Sequence, residues 1–179
     1  LPIIFFSIKE DLFQNVSYKI RFVGLFMSAA LLIYNVPNKL PMVDHIFFIS
    51  DLLRSYPISF AFYTLCLVGL SNGFNFIDGM NGLLGFYVLG ASVSCINLAF
   101  IVGDINMTVQ PIFFIFIISM FLLINFPFGK IFMGDSGAYL MGMLLGIWII
   151  NFFSSFNSIS SWNALLILFY PTAEVTYSL

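Results

Sequence analysis

Eight acidic residues in a 179-residue chain that is 61% hydrophobic are few enough to weigh one by one. Four of them, Glu10, Asp11, Asp78 and Asp135, fall in three short polar stretches between long apolar runs. Asp78 precedes a glycine in Asn75-Phe76-Ile77-Asp78-Gly79, and Asp135 follows one in Phe132-Met133-Gly134-Asp135-Ser136-Gly137. An Asp beside Gly at the end of a membrane helix is commonly a turn or a cap, because its carboxylate accepts from free backbone N–H groups and Gly supplies unusual dihedrals. For either stretch alone that reading is favoured. Three such stretches on one membrane face change the balance, since carboxylates near hydrocarbon are costly and a cluster of them reads as a cation or proton site. Hard oxygens without a His/Cys set favour Mg²⁺ or Mn²⁺ over zinc. Magnesium is usually held by one or two carboxylates plus substrate phosphates, which points to phosphoryl chemistry. Asn72, Asn75, Asn81 and Asn125 add neutral donors and acceptors suited to a nucleotide.

The elements that must position these groups are membrane helices. Only 8% of residues are charged and the mean hydropathy is +1.05, whereas soluble domains are typically about a quarter charged. The apolar runs recur along the whole chain, so a cleaved leader does not account for them. A net charge of −2 from six basic and eight acidic residues excludes the basic stripe of a nucleic-acid binder. At about 20 apolar residues per crossing, complete spans are expected near 20–36, 58–74, 83–102, 111–126 and 136–153, with partial spans at 1–8 and after 161. The expectation is an all-α polytopic bundle, a single integral-membrane domain over 1–179 truncated at both ends. Residues 37–57 hold one apolar patch too short to cross and belong at the interface. Alternating the spans places 9–19, 72–82 and 127–135 on one side with Lys9, Lys19, Arg21 and Lys130, against Lys39 and Arg54 on the other. The positive-inside bias makes the first set cytosolic.

The same three stretches resemble the polyprenyl-phosphate N-acetylhexosamine-1-phosphate transferases, glycosyltransferase family 4. Asn72 through Leu83 is similar to the family's N-x-x-N-x-x-D-G-x-[DN]-G-L loop, Phe132 through Gly137 to its F-M-G-D-[TAS]-G loop, with Asn125 ten residues before Asp135, and Ser7 through Leu12, followed by Arg21, to its G-x-x-D-D-L segment. Pro171-Thr172-Ala173-Glu174 looks like the helix before the family's last cytosolic loop. The resemblance implies transfer of N-acetylhexosamine-1-phosphate from a UDP-sugar to a polyprenyl (undecaprenyl) phosphate with release of UMP. Such a step starts cell-wall, O-antigen or other lipopolysaccharide-type glycans at the cytosolic face of a bacterial inner membrane. It also implies Asp135 as metal ligand, Asp11 with Glu10 as base or second metal ligand, Asp78 in the catalytic set, and Asn72, Asn75, Asn81 and Asn125 against substrate. Departures from the pattern are Glu10 for Asp, Asn81 for a carboxylate of several branches, and Gln14 for a frequent Lys; the family's basic, His-containing loop is expected beyond Leu179.

Other features carry blander readings. Cys66 and Cys95 read as buried thiols, and His45 as an interfacial residue. Gly142 and Gly146 form a small-x-x-x-small spacing that internal packing explains as well as a homodimer does. The rival readings are an ion-coupled transporter, which needs carboxylates in mid-span, and an inactive structural piece of the transferase.

Overall fold

A computed structural model describes residues 1–13, 17–36, 40–43, 47–79, 81–156 and 158–178. Gln14, Lys39, Asp44, His45 and Met80 lie outside the described residues. The described residues form α1 (Pro2–Phe13), α2 (Tyr18–Tyr34), α3 (Phe47–Leu53), α4 (Tyr56–Ile77), α5 (Leu83–Val102), a 3₁₀ turn at Ile105–Thr108, α6 (Val109–Asn125), α7 (Gly134–Ser155), α8 (Trp162–Ile167) and α9 (Phe169–Ser178). Helix is the form the sequence dictates, because within hydrocarbon each backbone N–H and C=O needs a partner in its own segment. Four stretches, α4, α5, the 3₁₀ turn with α6, and α7, are long and apolar enough to cross a membrane. With 22 residues, α4 and α7 each reach about 33 Å. The expected fifth span, α2, has 17 residues, about 26 Å, because the helix ends at Tyr34 ahead of Asn35. Among the described residues of the 37–57 region, only the seven-residue α3 and the start of α4 are helical, and α3 is too short to cross a membrane.

Several boundaries at the polar motifs differ from the sequence reading, there by extension of a helix into the motif. Lys9, Glu10 and Asp11 ride on the last turns of α1, since nothing in Lys-Glu-Asp-Leu breaks a helix. Asn72 and Asn75 belong to the last turns of α4, and Gly134 and Asp135 already open α7. The last apolar stretch is two helices. Pro171 has no N–H to offer the Ile167 carbonyl four residues back, and the Tyr87 hydroxyl of α5 donates to that oxygen instead, at 2.7 Å.

The most deeply buried span is α7, which packs against α4 and α1, while α5 pairs with α6, and α2 and α9 lean on α4. Helix α6 buries Phe114, Ile118 and Leu122 and exposes Phe113, Phe116 and Leu123, so both of its faces are apolar, as suits a helix between protein and lipid. The glycine spacing on α7 is spent inside the chain. A Cβ on Gly142 would stand 2.8 Å from the Cα of Ser71, and one on Gly146 2.5 Å from Leu67 Cδ1. That contact with α4 removes the sequence argument for a homodimer on this face. Cys95 is buried as expected, but Cys66 is exposed on α4, where it lines an apolar groove between α4, α7 and α8–α9.

Gly142→Ala therefore lowers the melting temperature in detergent, overpacking a backbone contact at about 1 to 3 kcal/mol. Gly90→Ala, on α5 with nothing within 4 Å of the added methyl, holds or raises it through helix propensity. Equal melting of the two variants would contradict the close α4–α7 approach.

Candidate active site

The first N–H groups of a helix have no partner within it. At the start of α7 those donors are claimed by carboxylates from two other helices. The N–H of Gly134 donates to Asp78 Oδ2 at 3.1 Å, from the C-cap of α4. The N–H groups of Asp135 and Ser136 donate to Asp11 Oδ1 and Oδ2, each at 3.1 Å, and the Ser136 hydroxyl donates to Asp11 Oδ2 at 2.6 Å. The macrodipole of α7 adds to the attraction, its positive end facing both anions. Gly134 has φ +71°, and a Cβ there would lie 3.2 Å from the Asp11 carboxylate, so the residue is glycine for conformation and for close approach together.

Asp135 itself points away from these bonds, and its Oδ2 accepts from Arg21 Nη1 of α2 in an ion pair. The two side chains keep 23% and 25% exposure. Asp78 is nearly buried at 8%. That burial pushes its carboxyl up from 3.8 to about 6; the N–H bonds from Gly134 and Met133 oppose the rise, and the nearby Asp135 and Asp11 charges add to it.

Of the expected substrate-binding residues, Asn125 is the most enclosed, 1% exposed. Its Oδ1 accepts from the Gly82 N–H at 2.6 Å and its Nδ2 donates to the Ile131 carbonyl. Both ends of this amide therefore clasp the loop after α4 to the loop before α7. Gly82 has φ +76°, which frees its N–H to point there. Asn81 is exposed and lies over Gly129, where a Cβ would come within 2.3 Å of its Oδ1. Asn75 Nδ2 donates to the Tyr139 hydroxyl at 3.2 Å. Asn72 Nδ2 donates to the Val68 carbonyl of its own helix and faces a cavity of about 560 Å³ whose walls include Lys19, Arg21 and Tyr139. Glu10, beside Asp11 on α1, is half-buried.

The sequence reading brought Asp11, Asp78 and Asp135 to one site but missed three of its members. Ser136 was legible as the residue after Asp135, with a hydroxyl at the third position of a helix. Tyr139 stands four residues past Asp135 and so shares its face. The pairing of Arg21 with Asp135 spans 114 positions and leaves no local signal.

The donor set suits a hard divalent cation only in part from the protein. Among the described residues, no group of three or more His, Cys, Asp or Glu side chains is gathered to hold a metal. Asp11 and Asp78 have oxygens committed to backbone N–H groups, whereas the carboxylate of Asp135 is bonded to a cation already. One such carboxylate completed by substrate phosphates is a usual arrangement for magnesium.

Fold and site define a polytopic helical membrane protein that assembles carboxylates from three helices at one end of its bundle. The model of the family described as "Glycosyl transferase family 4" matches residues 1–153, and the chain belongs to that family. A Thermotoga maritima undecaprenyl-phosphate alpha-N-acetylglucosaminyl 1-phosphate transferase is 26% identical over 178 residues, covering 99% of this chain and 51% of the relative. A Saccharolobus solfataricus protein, named for N-acetylglucosamine-phosphate transfer to dolichyl phosphate, is 31% identical over 150 residues, covering 82% and 45%. A Staphylococcus aureus phospho-N-acetylmuramoyl-pentapeptide-transferase is 34% identical over 90 residues, covering 48% and 28%. The chain thus spans about half the length of the first two relatives.

The raised Asp78 carboxyl has a sign that can be measured. A folded-state value near 6 against 3.8 means that the fold holds a proton the unfolded chain releases. Stability from this group is then fully present below the lower value and lost as pH rises through the higher. In chelator, the melting temperature of the wild type minus that of Asp78→Asn, which does not titrate, falls between about pH 4.5 and about pH 7. A difference that grows with pH over this interval would refute the burial argument.

Proposed function

We propose that this chain carries the catalytic core of a UDP-N-acetylhexosamine:polyprenyl-phosphate sugar-1-phosphate transferase. The observation that carries the reading is the meeting of Asp11, Asp78 and Asp135 at the N-terminus of α7. A non-bridging oxygen of the polyprenyl phosphate attacks the β-phosphorus of the donor. The bond from that phosphorus to the oxygen bridging the α-phosphate breaks, and UMP leaves with the oxygen. A phosphate monoester has its second pKa near 6, so the acceptor is largely a dianion at neutral pH and needs little help from a base. The difficulty is electrostatic, because two anions must be brought together. Mg²⁺ or Mn²⁺, when bound, neutralises the diphosphate and the departing UMP.

The chain's own residues do the rest. Asp135 holds the cation, while Asp11 and Asp78 fix the turn that carries it. Glu10 stands beside Asp11 toward the acceptor. Asn72 and Asn75 face the donor from α4, Asn81 from the loop, and Asn125 keeps the two loops in register. Lys19 and Arg21 give the adjoining cavity a positive wall. An apolar groove of about 430 Å³ between α4, α7 and α8–α9 includes Leu67 and Leu70, about 12 to 17 Å along α4 from Asp78, and offers hydrocarbon-like walls to an isoprenoid chain. The product would start a lipid-linked cell-envelope glycan, with the carboxylate end of the bundle on the cytosolic side of the membrane. A transporter reading calls for carboxylates in mid-span. Here Asp11, Asp78 and Asp135 stand at helix ends.

In the full-length protein, given a divalent cation, a polyprenyl phosphate and a panel of UDP-N-acetylhexosamines, UMP is released with at least one donor; release of UDP would mean ordinary glycosyl transfer. Asp135→Asn, which keeps the side chain's size, lowers that rate about 100- to 1000-fold in folded protein. Asp104→Asn, whose side chain caps the 3₁₀ turn through the Asn106 N–H and which an amide also caps, leaves the rate unchanged. Full activity of Asp135→Asn removes it from the cation site.

Topology is tested separately. Cysteines placed at Lys130 and at Asn106, both exposed, in a background without Cys66 and Cys95, react with an impermeant thiol reagent from opposite sides of the membrane. Labelling of both from one side would undo the orientation.

A further inference from the structure

We infer that Arg21 is a built-in stand-in for the divalent cation: its guanidinium occupies Asp135 until a metal ion displaces it, and so sets the affinity of the site for that ion. The inference rests on the proposal that Asp135 is the cation ligand. Three carboxylates lie close enough that Asp135 and Asp11 both raise the Asp78 carboxyl. Two of them are anchored, Asp78 on the Gly134 N–H and Asp11 on two N–H groups and a hydroxyl. Withdrawing Asp78 would leave the part-buried Gly134 N–H without its partner, and withdrawing Asp11 would break three hydrogen bonds at once. Asp135 carries no such debt, because its carboxylate is held by a side chain on a different helix.

That side chain is incompletely satisfied where it stands. Arg21 Nε is buried and has no hydrogen-bond partner, so the guanidinium gives up one donor to stay where it is. A planar fork with five N–H donors ordinarily engages a carboxylate through two of them; here the pair is formed through Nη1 to Oδ2. The arrangement lets the three helix ends fold together with the Asp135 charge balanced, and leaves one ligand exchangeable. A cation reaching Asp135 meets one positive group to be moved, and Arg21 can swing into the cavity whose wall it already forms.

The test reads cation binding, independently of turnover. Mn²⁺ titrations of the purified full-length protein without substrate, followed by electron paramagnetic resonance of the free ion, compare the wild type, Arg21→Gln, Lys19→Gln and Asp135→Asn. Lys19→Gln removes the same unit of charge two residues away on α2 without touching an ion pair to Asp135, so it corrects for the general loss of positive potential. Arg21→Gln tightens Mn²⁺ about tenfold, as removal of a partly buried competing charge should. Lys19→Gln changes the affinity by less than about twofold. Equal shifts in the two variants, or no shift in Arg21→Gln, would overturn the role of Arg21 while leaving Asp135 as a ligand. Wild-type binding by Asp135→Asn would overturn both. A second measurement needs no variant. Phenylglyoxal modification of the wild type, mapped by mass spectrometry, is faster at Arg21 in saturating Mn²⁺ than in chelator, with Arg54 as internal reference. Slower or unchanged modification of Arg21 counts against the exchange.

Discussion

The start of α7 is a helix terminus with open N–H donors, and the architecture depends on satisfying it. Short polar side chains of the same segment could have capped it. Instead the partners come from α4 and α1, as Asp78 and Asp11. Capping thereby becomes tertiary structure, because the first turn of α7 keeps its protein partners only where the ends of three helices arrive at one level. The close α4–α7 approach at Gly142 and Gly146 sets the spacing, and the Asn125 clasp sets the loops above it. Ser28 of α2 does a similar service for α1, accepting from the Ile3 N–H at 2.9 Å.

This capping arrangement also sorts three chemically identical side chains. Asp78 is buried, and its environment favours the protonated form more than water does. Asp11 is exposed yet accepts from three donors, so its geometry is fixed by α7. Asp135 sits on the capped turn and points its charge outward to Arg21. A carboxylate that must exchange ligands is best mounted on a rigid turn held by carboxylates that need not.

How much of this the sequence revealed depended on distance along the chain. Asp11, Asp78 and Asp135 were legible because charged residues between apolar runs are conspicuous, and alternation of spans puts their stretches on one side. Helix ends were not, because Asn72, Asn75 and Gly134-Asp135 have the composition of loops, and bonds that the sequence does not display, Asn75 to Tyr139 and the Gly134 and Asp135 N–H groups to Asp78 and Asp11, accompany their place in α4 and α7. The glycine pair on α7 was ambiguous for a physical reason: a groove for a neighbouring helix looks the same whether the neighbour is α4 or a second copy. Asn125 looked like a substrate ligand because an amide at a membrane face is conspicuous, yet it is enclosed and used at both ends. No spacing rule relates Arg21 to Asp135, or Tyr87 to the carbonyl that Pro171 leaves open.

Placement at the end of the bundle also follows from charge. A carboxylate near the bilayer centre costs several kcal/mol, and a cluster multiplies the cost, so a site that must hold anions together belongs where water and headgroups still screen. Yet full exposure would weaken each interaction, since Coulomb energy scales inversely with the local dielectric. Asp135 and Arg21, each about one quarter exposed, stand between the two extremes. For the proposed reaction that level has a further merit. An isoprenoid chain stays in hydrocarbon and a nucleotide stays in water, so their phosphates can meet only at the boundary, and the turn from Gly134 to Ser136 puts its one exchangeable carboxylate there.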